Sequence, residues 1–272
     1  MKHSRIILAL MLILSAVSCK TEYDILLESG DADAKYKAAF DYYDKWKFSK
    51  AAQLFESLSM ISSGTDRDDT VQFYWGLSNY MDKDYYTAQS NLERFITNFP
   101  RSPFTEYASF LQLDCLYRGT LRYELDQTPT YTCITAINQF LINYPATEKR
   151  GNCELMLDNL EERLDKKALE NAKLYYKMED YKAARVAFRN ILKDDADNRY
   201  REEILYYTAM SSYNFAAMSI PDKQKERFLI FVDDYLNFVE EYSESAYRKE
   251  LDGLYRKVRK NNETSDAVTP VI

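Results

Sequence analysis

The chain has 272 residues and a formal net charge of −7, with 46% apolar residues but only six glycines and six prolines. So few turn-forming residues argue against a β-sandwich or barrel and favour helices with short connections. The acidic balance, without any basic run, argues against a nucleic-acid partner. The 24 tyrosines and 14 phenylalanines indicate either helices packed through large amphipathic side chains or a surface that binds through them.

Residues 1–18 have the pattern of a secretory signal. Two basic residues near the start precede an apolar run from Ile6 to Leu14, which is too short to span a bilayer as a permanent helix. Small residues then lead to Cys19, and the sequence Ala-Val-Ser-Cys resembles the lipobox of bacterial lipoproteins. The resemblance implies cleavage before Cys19 and lipidation of that residue; plain secretion with a chance cysteine is the alternative. We therefore expect a lipidated tether over residues 19–30.

Three downstream segments share a spacing that is typical of helical hairpins. A small residue lies midway along a first helix, and the second helix carries an alanine followed by a large apolar residue. This spacing resembles the tetratricopeptide repeat, in which small residues allow two helices to approach closely while aromatic side chains fill the groove. The residues that share one face of the second helix are Phe48, Ala51, Phe55 and Leu58 in the first unit, Tyr85, Ala88, Leu92 and Phe95 in the second, and Tyr181, Ala184, Phe188 and Ile191 in the fourth.

The third and fifth units depart from this pattern. In the third, residues 122–130 separate the two helices, so the insertion either lengthens them or forms a projecting loop. Cys133 stands there where alanine is usual. In the fifth, the first helix is centred on Ala209 and the second runs from Lys223 to Tyr242.

A closing helix, from Ala246 to about Lys260, is predicted to cap the stack. Residues 261–272 have no periodicity and are predicted to be disordered. The sequence therefore predicts an all-α fold over residues 31–260: an α-solenoid of about five tetratricopeptide-like helical hairpins with a C-terminal capping helix.

Three cysteines follow Cys19, and their odd number does not describe a disulfide framework. Cys115, Cys133 and Cys153 fall within or at the start of predicted helices, where cysteine usually acts as a small buried apolar residue. One pair could still form a bridge in an oxidising periplasm. The sequence contains no Cys-x-x-Cys motif, so neither a redox motif nor a cysteine metal site is indicated.

The turns between units have a more specific pattern. Residues 98–108 and 142–153 both place asparagine, an aromatic residue and proline at a helix end. A serine or threonine after each turn is positioned to cap the next helix. A third copy, at 241–251, has Ser243 in place of the proline.

The lipobox, the five units, the Phe-Pro-Arg-Ser-Pro turn and the inserted third unit together resemble the BamD (YfiO) family of outer-membrane lipoproteins. That family belongs to the complex that folds β-barrel proteins and inserts them into the outer membrane. The resemblance implies a non-enzymatic scaffold, anchored by lipid at the periplasmic face of the outer membrane. Its implied partners are BamA, other subunits of the assembly complex and unfolded β-barrel clients.

Two surfaces are predicted on the first helices of the hairpins, which line the concave face in such arrays. An aromatic stripe in units one and two is predicted to bind client strands; the alternative is that these rings pack on the tether or on one another. A more basic stripe in units four and five is predicted to dock BamA, and a solvated helix face is the alternative. The client stripe consists of Tyr36, Phe40, Tyr43, Phe73, Leu77 and Tyr80, and the docking stripe of Lys166, Lys173, Tyr176, Lys177, Tyr206 and Tyr213.

Catalytic motifs are not found. The sequence has no glycine-rich phosphate loop or nucleophile elbow, and its only histidine, His3, lies in the predicted signal. We therefore expect no enzyme activity, cofactor or metal site. Two other functions remain open: organising a Tol-type or peptidoglycan-linked envelope complex, or binding glycans as an outer-membrane lipoprotein, a class that is usually much longer.

Overall fold

The structure, a computed structural model, describes residues 20–266 and the side chains of residues 20–260. The predicted signal over 1–18, the predicted lipidation site Cys19 and residues 267–272 of the predicted tail lie outside the described residues.

The described part of the chain forms α-helices and no strands. The helices are α1 (Glu22–Glu28), α2 (Ala32–Asp44), α3 (Phe48–Ile61), α4 (Asp68–Met81), α5 (Tyr85–Asn98), α6 (Thr105–Arg118), α7 (Thr128–Asn143), α8 (Arg150–Lys177), α9 (Tyr181–Asp194), α10 (Arg201–Ala217), α11 (Pro221–Glu241) and α12 (Arg248–Asp266).

The helices belong to two compact units. The first comprises the chain up to Thr120 together with Thr128–Cys153, and it contains the hairpins α2–α3, α4–α5 and α6–α7. The second comprises Leu121–Gln127 and the chain from Glu154 onward, and it contains most of α8, then α9, the hairpin α10–α11 and α12. Within each unit, helices that follow one another in the chain pack together. The predicted all-α fold of helical hairpins followed by a final helix is confirmed.

Helix α1 lies inside the segment that was expected to be a tether. It begins with a capping box formed by Thr21 and Asp24, and its Tyr23 is buried. The Tyr23 ring meets Tyr42 edge-on at 5.2 Å between centroids, and its hydroxyl donates to the Lys50 carbonyl oxygen at 3.0 Å. Burial of one aromatic side chain therefore holds this part of the predicted tether against the first hairpin.

The repeat faces predicted from the spacing form the core of the hairpins. Ala88, Leu92 and Phe95 of α5 are buried in one cluster, and Ala184 and Phe188 of α9 occupy the same role in the second unit. Each set recurs every three or four residues, which places it on one face of its helix. Close packing of that face is what holds successive helices together.

The inserted segment of the third unit forms a loop. Helix α6 ends at Arg118 and α7 begins at Thr128, so the second helix also starts well ahead of its predicted repeat face. The Lys167 ammonium donates to the carbonyl oxygens of Tyr123 and Leu125 at 3.1 Å and 2.7 Å. These bonds satisfy backbone oxygens that a loop leaves without helical partners, and they fix the loop on α8.

Helix α12 packs on α10 and α11 through buried Leu251 and Val258, which is the placement expected of a capping helix. It continues to Asp266, so the predicted start of the tail at residue 261 falls inside the helix. Across residues 20–266, none of the helices combines the length and apolarity that a bilayer crossing requires.

All three cysteines of the described chain are buried: Cys115, Cys133 and Cys153. Burial raises the pKa of the Cys115 thiol to about 12. That thiol is therefore protonated at neutral pH and acts as a small apolar side chain.

Candidate partner-binding surfaces

Three of the residues predicted to bind clients form a continuous aromatic layer in the first unit. Tyr36, Phe40 and Tyr43 lie on one side of α2 and are half-buried. The ring of Phe40 lies 5.0 Å from Tyr36 and 4.7 Å from Tyr74, and Tyr43 meets Tyr74 at 5.4 Å. Tyr74 of α4, which the sequence pattern did not select, therefore links Phe40 and Tyr43 within this layer.

Tyr107 of α6 extends this layer. Its ring lies 6.2 Å from Phe73 of α4, whose ring lies 5.4 Å from that of Tyr74. Burial first, and then the neighbouring Tyr74 and Tyr107, raise the pKa of Tyr43 to about 12. Tyr107 is 44% exposed, so it offers more free ring surface than the other members. We define the aromatic surface as these two residues with the three from α2: Tyr36, Phe40, Tyr43, Tyr74 and Tyr107.

Phe73 and Leu77 do not belong to an open surface, contrary to the sequence-based expectation. They are 2% and 7% exposed, and the Phe73 ring stacks on Phe104 at 4.5 Å with an interplanar angle of 4°. Phe104 lies at the start of the next hairpin. The side of α4 that was expected to face a client instead packs on its neighbour.

Tyr80 is half-buried and engaged within the unit. Its hydroxyl donates to the Asp114 carboxylate at 2.7 Å, and the Arg118 guanidinium binds the same carboxylate. Burial and the bond to Asp114 hold the pKa of Tyr80 well above its ordinary value. Tyr80 therefore links α4 to α6, and its half-buried side chain is only partly open to a partner.

The lysines predicted to dock BamA surround one carboxylate in the second unit. Glu170 lies 3.3 Å from Lys166, 3.4 Å from Lys173 and 4.0 Å from Lys177. Burial alone would raise the pKa of Glu170, but Lys173 and Lys166 lower it below its ordinary value. Lys173 also pairs with Glu203. The stripe is therefore partly neutralised by its own acids, and its accessible charge is concentrated on Lys177, whose side chain is 69% exposed.

The tyrosines of the predicted docking stripe mainly pack inside the unit. Tyr206 is buried; its ring stacks on Tyr247 at 4.2 Å and its hydroxyl donates to Glu250 at 2.8 Å. It cannot contact a partner in this conformation, and the expectation is corrected for that residue. Tyr176 and Tyr213 are half-buried. The Tyr176 hydroxyl accepts a bond from Asn214 at 3.0 Å.

Comparison with known proteins gives the family. The family model YfiO, described as outer membrane lipoprotein, matches residues 28–229. The chain is 21% identical over 182 residues to the outer membrane protein assembly factor BamD of Caulobacter vibrioides. This alignment covers 67% of this chain and 60% of that protein. It is 22% identical over 238 residues to BamD of Rickettsia prowazekii, which covers 87% of this chain and 94% of that protein. The match thus spans less than two thirds of the Caulobacter relative.

Two solved structures were also found at low similarity. One is the TPR2AB domain of yeast Sti1 in its pHSP90 complex, with a TM-score of 0.39 and 16% identity over 84% of this chain and 98% of that chain. The other is a TPR repeats protein of Bacteroides fragilis, with a TM-score of 0.40 and 13% identity over 85% and 99%. The family model, by contrast, runs from α1 into α11 and covers most of the sequence. The chain therefore belongs to the YfiO family of outer membrane lipoproteins.

Proposed function

We propose that this chain is a lipid-anchored scaffold that takes part in the assembly of β-barrel proteins in the outer membrane. The observation that carries the proposal is the family match over residues 28–229, supported by two relatives that are named as outer membrane protein assembly factors. A fold of stacked helical hairpins suits this role because it presents broad side-chain surfaces to protein partners. In this role the chain acts by binding and positioning, without catalysis.

The anchor of this scaffold is Cys19, acylated after cleavage of the signal. Several acyl chains on one residue give durable attachment where a single chain is marginal. A Cys19→Ala variant should be released from the membrane fraction into the soluble periplasm. Mass spectrometry of the mature wild-type N-terminus should find acylated Cys19; an unmodified N-terminus would refute the anchor.

The aromatic surface is the part that receives clients. In the family picture, strands of client barrels end in aromatic residues, and rings such as Tyr43 and Tyr107 can take them by apolar burial and edge-to-face contact. Each good aromatic pair adds about 1 kcal/mol beyond the area that it buries. The exposed ring of Tyr107 and the half-buried rings beside it offer several such contacts within one patch.

The client assignment is tested with a peptide that carries the C-terminal strand of a β-barrel protein. Tyr43→Ala and Tyr107→Ala should each weaken its binding by about fivefold to tenfold, the equivalent of about 1 kcal/mol or slightly more. Tyr131→Ala is the matched control, because Tyr131 is 60% exposed on α7 and lies outside the aromatic surface. If both variants bind as tightly as the control, the aromatic surface is not the client site.

The lysine stripe of the second unit is proposed to dock BamA. Lys177, whose side chain is 69% exposed, is the most accessible cation of the stripe, and an acidic partner surface would complement it and speed association. Lys177→Glu should reduce recovery of BamA when the chain is captured from detergent-solubilised outer membrane. Lys223→Glu is the control, since Lys223 is also exposed and lies at the start of α11.

The same capture separates the proposed function from the alternatives. Recovery of BamA with the wild-type chain supports the assembly role. Recovery of a Tol-type protein without BamA would instead assign the chain to another envelope complex. Photo-crosslinkers placed at positions 166, 176 and 177 that never capture BamA would rule out docking at this stripe.

A further inference from the structure

Trp46 occupies an unusual position at the tip of the turn between α2 and α3. Its side chain is 77% exposed, and its only ring contact among the described residues is with Phe48, 5.9 Å away. Its φ angle of 60° is in the left-handed region, which is unfavourable for a bulky residue. The other tryptophan, Trp75, is half-buried, with the Arg94 guanidinium 4.6 Å from its ring.

The matching turns of other hairpins carry polar residues at this position. Lys83 between α4 and α5 and Glu179 between α8 and α9 also have positive φ angles, of 67° and 62°. A polar side chain at such a tip is solvated, whereas an indole there exposes a large apolar surface to water. Packing within the first unit does not account for a tryptophan at position 46.

The start of the described chain lies at the same end of the first hairpin as Trp46. Tyr23 is held between Tyr42, near the end of α2, and Lys50, near the start of α3. The Lys47 ammonium, next to Trp46 in the chain, lies 5.8 Å from the Tyr42 ring. Cys19 precedes Tyr23 by only four positions, and an extended chain advances at most about 3.6 Å per residue. The four-residue step from Tyr23 to an anchor at position 19 therefore spans at most about 14 Å.

We propose that the turn between α2 and α3 contacts the lipid surface to which Cys19 anchors the chain. The indole of Trp46 enters the headgroup layer, where its apolar body and its N–H group are both accommodated. Lys47 and Lys50, whose side chains lie over aromatic rings near the turn, face lipid phosphates. This inference uses one part of the proposed function, the lipid anchor at Cys19, and does not depend on client binding or on docking to BamA.

A second exposed aromatic residue lies on the same edge of the unit. Tyr86, at the start of α5, is 88% exposed. Each helix from α2 to α5 packs on the next, and the connections between them are short. Consecutive helices joined in this way are antiparallel, so the α2–α3 and α4–α5 turns project from one edge. Tyrosine and tryptophan are the residues enriched where protein meets the interface of a bilayer. The lipid-facing edge thus consists of Trp46 and Tyr86 with the lysines around the first turn.

The test uses the full, acylated chain in vesicles of phosphatidylethanolamine and phosphatidylglycerol. Because the sequence has two tryptophans, Trp75→Phe leaves Trp46 as the only indole fluorophore. Its emission should shift to shorter wavelength on vesicles, lose most of its quenching by iodide, and be quenched by lipids brominated near the headgroup. Trp46→Phe, which retains Trp75, is the control and should show none of these changes.

The inference is overturned if Trp46 has the same emission and the same iodide quenching on vesicles as in a soluble Cys19→Ser chain. It is also overturned if the shift appears only after a client peptide or BamA is added, because the turn would then be a protein contact. Should Trp75→Phe disturb the fold, fluorinated tryptophan in the wild-type chain gives two ¹⁹F signals, of which the Trp46 signal alone should respond to the vesicles.

These outcomes are separate from those of the proposed function. Insertion of Trp46 without recovery of BamA would retain the membrane contact and remove the assembly role. Recovery of BamA together with a Trp46 that iodide still quenches fully would retain the assembly role and remove the membrane contact. If mass spectrometry finds Cys19 unmodified, the vesicle measurement is repeated on the unacylated chain. Trp46 emission that does not change on vesicles then overturns the lipid contact. Emission that shifts to shorter wavelength supports lipid binding by the turn itself.

Discussion

The Arg185 guanidinium and the Asp234 carboxylate form a two-bond ion pair between α9 and α11. The Nε–Oδ2 distance is 2.7 Å and the Nη2–Oδ1 distance is 3.0 Å. Ser212 of α10 donates a further hydrogen bond to Asp234. The Asp234 side chain is 8% exposed and that of Arg185 is 21% exposed. This carboxylate therefore joins three helices of the second unit at a largely dehydrated position.

We expect Asp234→Ala to destabilise the protein by about 3 kcal/mol, because it leaves a mostly buried guanidinium without its partner. The free energy of unfolding from urea titration measures the effect. Glu241→Ala is the matched control: its pair with Arg201 is more exposed, at 38% and 29%, and should contribute at most about 1 kcal/mol.

A second comparison tests the reason for that loss. Replacing both partners, as Arg185→Leu with Asp234→Leu, should cost less than Asp234→Leu alone, because an apolar pair leaves no buried charge. A double variant that is less stable than the single one would show that the ion pair itself, rather than the unpaired charge, dominates the energetics.

The left-handed turn residues Lys83 and Glu179 should favour replacement by glycine. Each ends a helix with the same pair of hydrogen bonds: Lys83 N–H donates to the Tyr80 carbonyl at 3.0 Å, and Asp84 N–H donates to the Asn79 carbonyl at 3.0 Å. Glycine is the usual residue at this position because it has no Cβ to clash. Lys83→Gly and Glu179→Gly should each raise the free energy of unfolding by about 0.5–1 kcal/mol.

Alanine at the same positions separates backbone strain from side-chain effects. Lys83→Ala removes the charge but keeps the Cβ, so it should give no comparable gain. If alanine and glycine stabilise equally, the effect comes from removal of the side chain and not from the backbone conformation. Trp46→Gly is expected to stabilise the fold in the same way while abolishing the proposed lipid contact.

The helical hairpins were predictable because their core depends on spacing within each helix. Ala88, Leu92 and Phe95 recur at three and four positions, and any helix places such residues on one face. Helix α1 also had a local marker, the capping box at Thr21 and Asp24, but the polar character of residues 20–30 favoured the interpretation as a tether. What held it in place, the contact of Tyr23 with Tyr42, joins residues that no local pattern relates.

The candidate surfaces were less predictable because exposure depends on which element covers a face. Tyr36 in α2 and Phe73 in α4 both lie three positions before the small residue midway along the helix, Ala39 and Gly76 respectively. Phe104 of the next hairpin nevertheless stacks on Phe73, whereas Tyr36 is left half-buried. In α6 the position three before the small residue Ala108 is Thr105, so the same rule does not select Tyr107. Periodicity therefore identified the aromatic helices, whereas the division between core and surface came from contacts between hairpins.

The Glu170 cluster makes stability depend on pH in the acid range. Although burial alone would raise it, the pKa of Glu170 is lowered from its ordinary 4.5 by Lys173 and Lys166. A carboxylate with a lowered folded pKa stabilises the fold above its unfolded pKa, and that contribution is lost as pH falls through the folded pKa. Glu170→Gln should therefore be less stable than wild type at neutral pH, and the difference should shrink as pH falls below the ordinary pKa of 4.5 and through the lowered folded pKa.

Urea midpoints measured from neutral pH to about pH 3 check this expectation. Glu162→Gln is the control, because the Glu162 side chain is 50% exposed and lies 3.9 Å from its cation, Arg199. Its curve should run parallel to that of the wild type. Parallel curves for Glu170→Gln as well would show that the lysines do not stabilise the ionised carboxylate.

Gly76 of α4 allows a close approach between the two helices of the second hairpin. A Cβ at this position would lie 2.9 Å from Leu92 Cδ2 and 3.1 Å from Leu92 Cγ, and Leu92 is fully buried. Alanine improves helix propensity by about 1 kcal/mol, but overpacking a filled core costs about 1–3 kcal/mol. Gly76→Ala should therefore lower the free energy of unfolding by about 1 kcal/mol.

Two companion variants identify the cause of that loss. Gly253→Ala on α12 meets nothing within 4 Å, so it should show the propensity gain alone and stabilise the fold by up to about 1 kcal/mol. Leu92→Val shortens the side chain that the new Cβ would meet, and it should therefore cost less in the Gly76→Ala background than in the wild type. A Gly76→Ala variant that is as stable as Gly253→Ala would show that Leu92 moves aside freely, and that close approach is not the reason for glycine at this position.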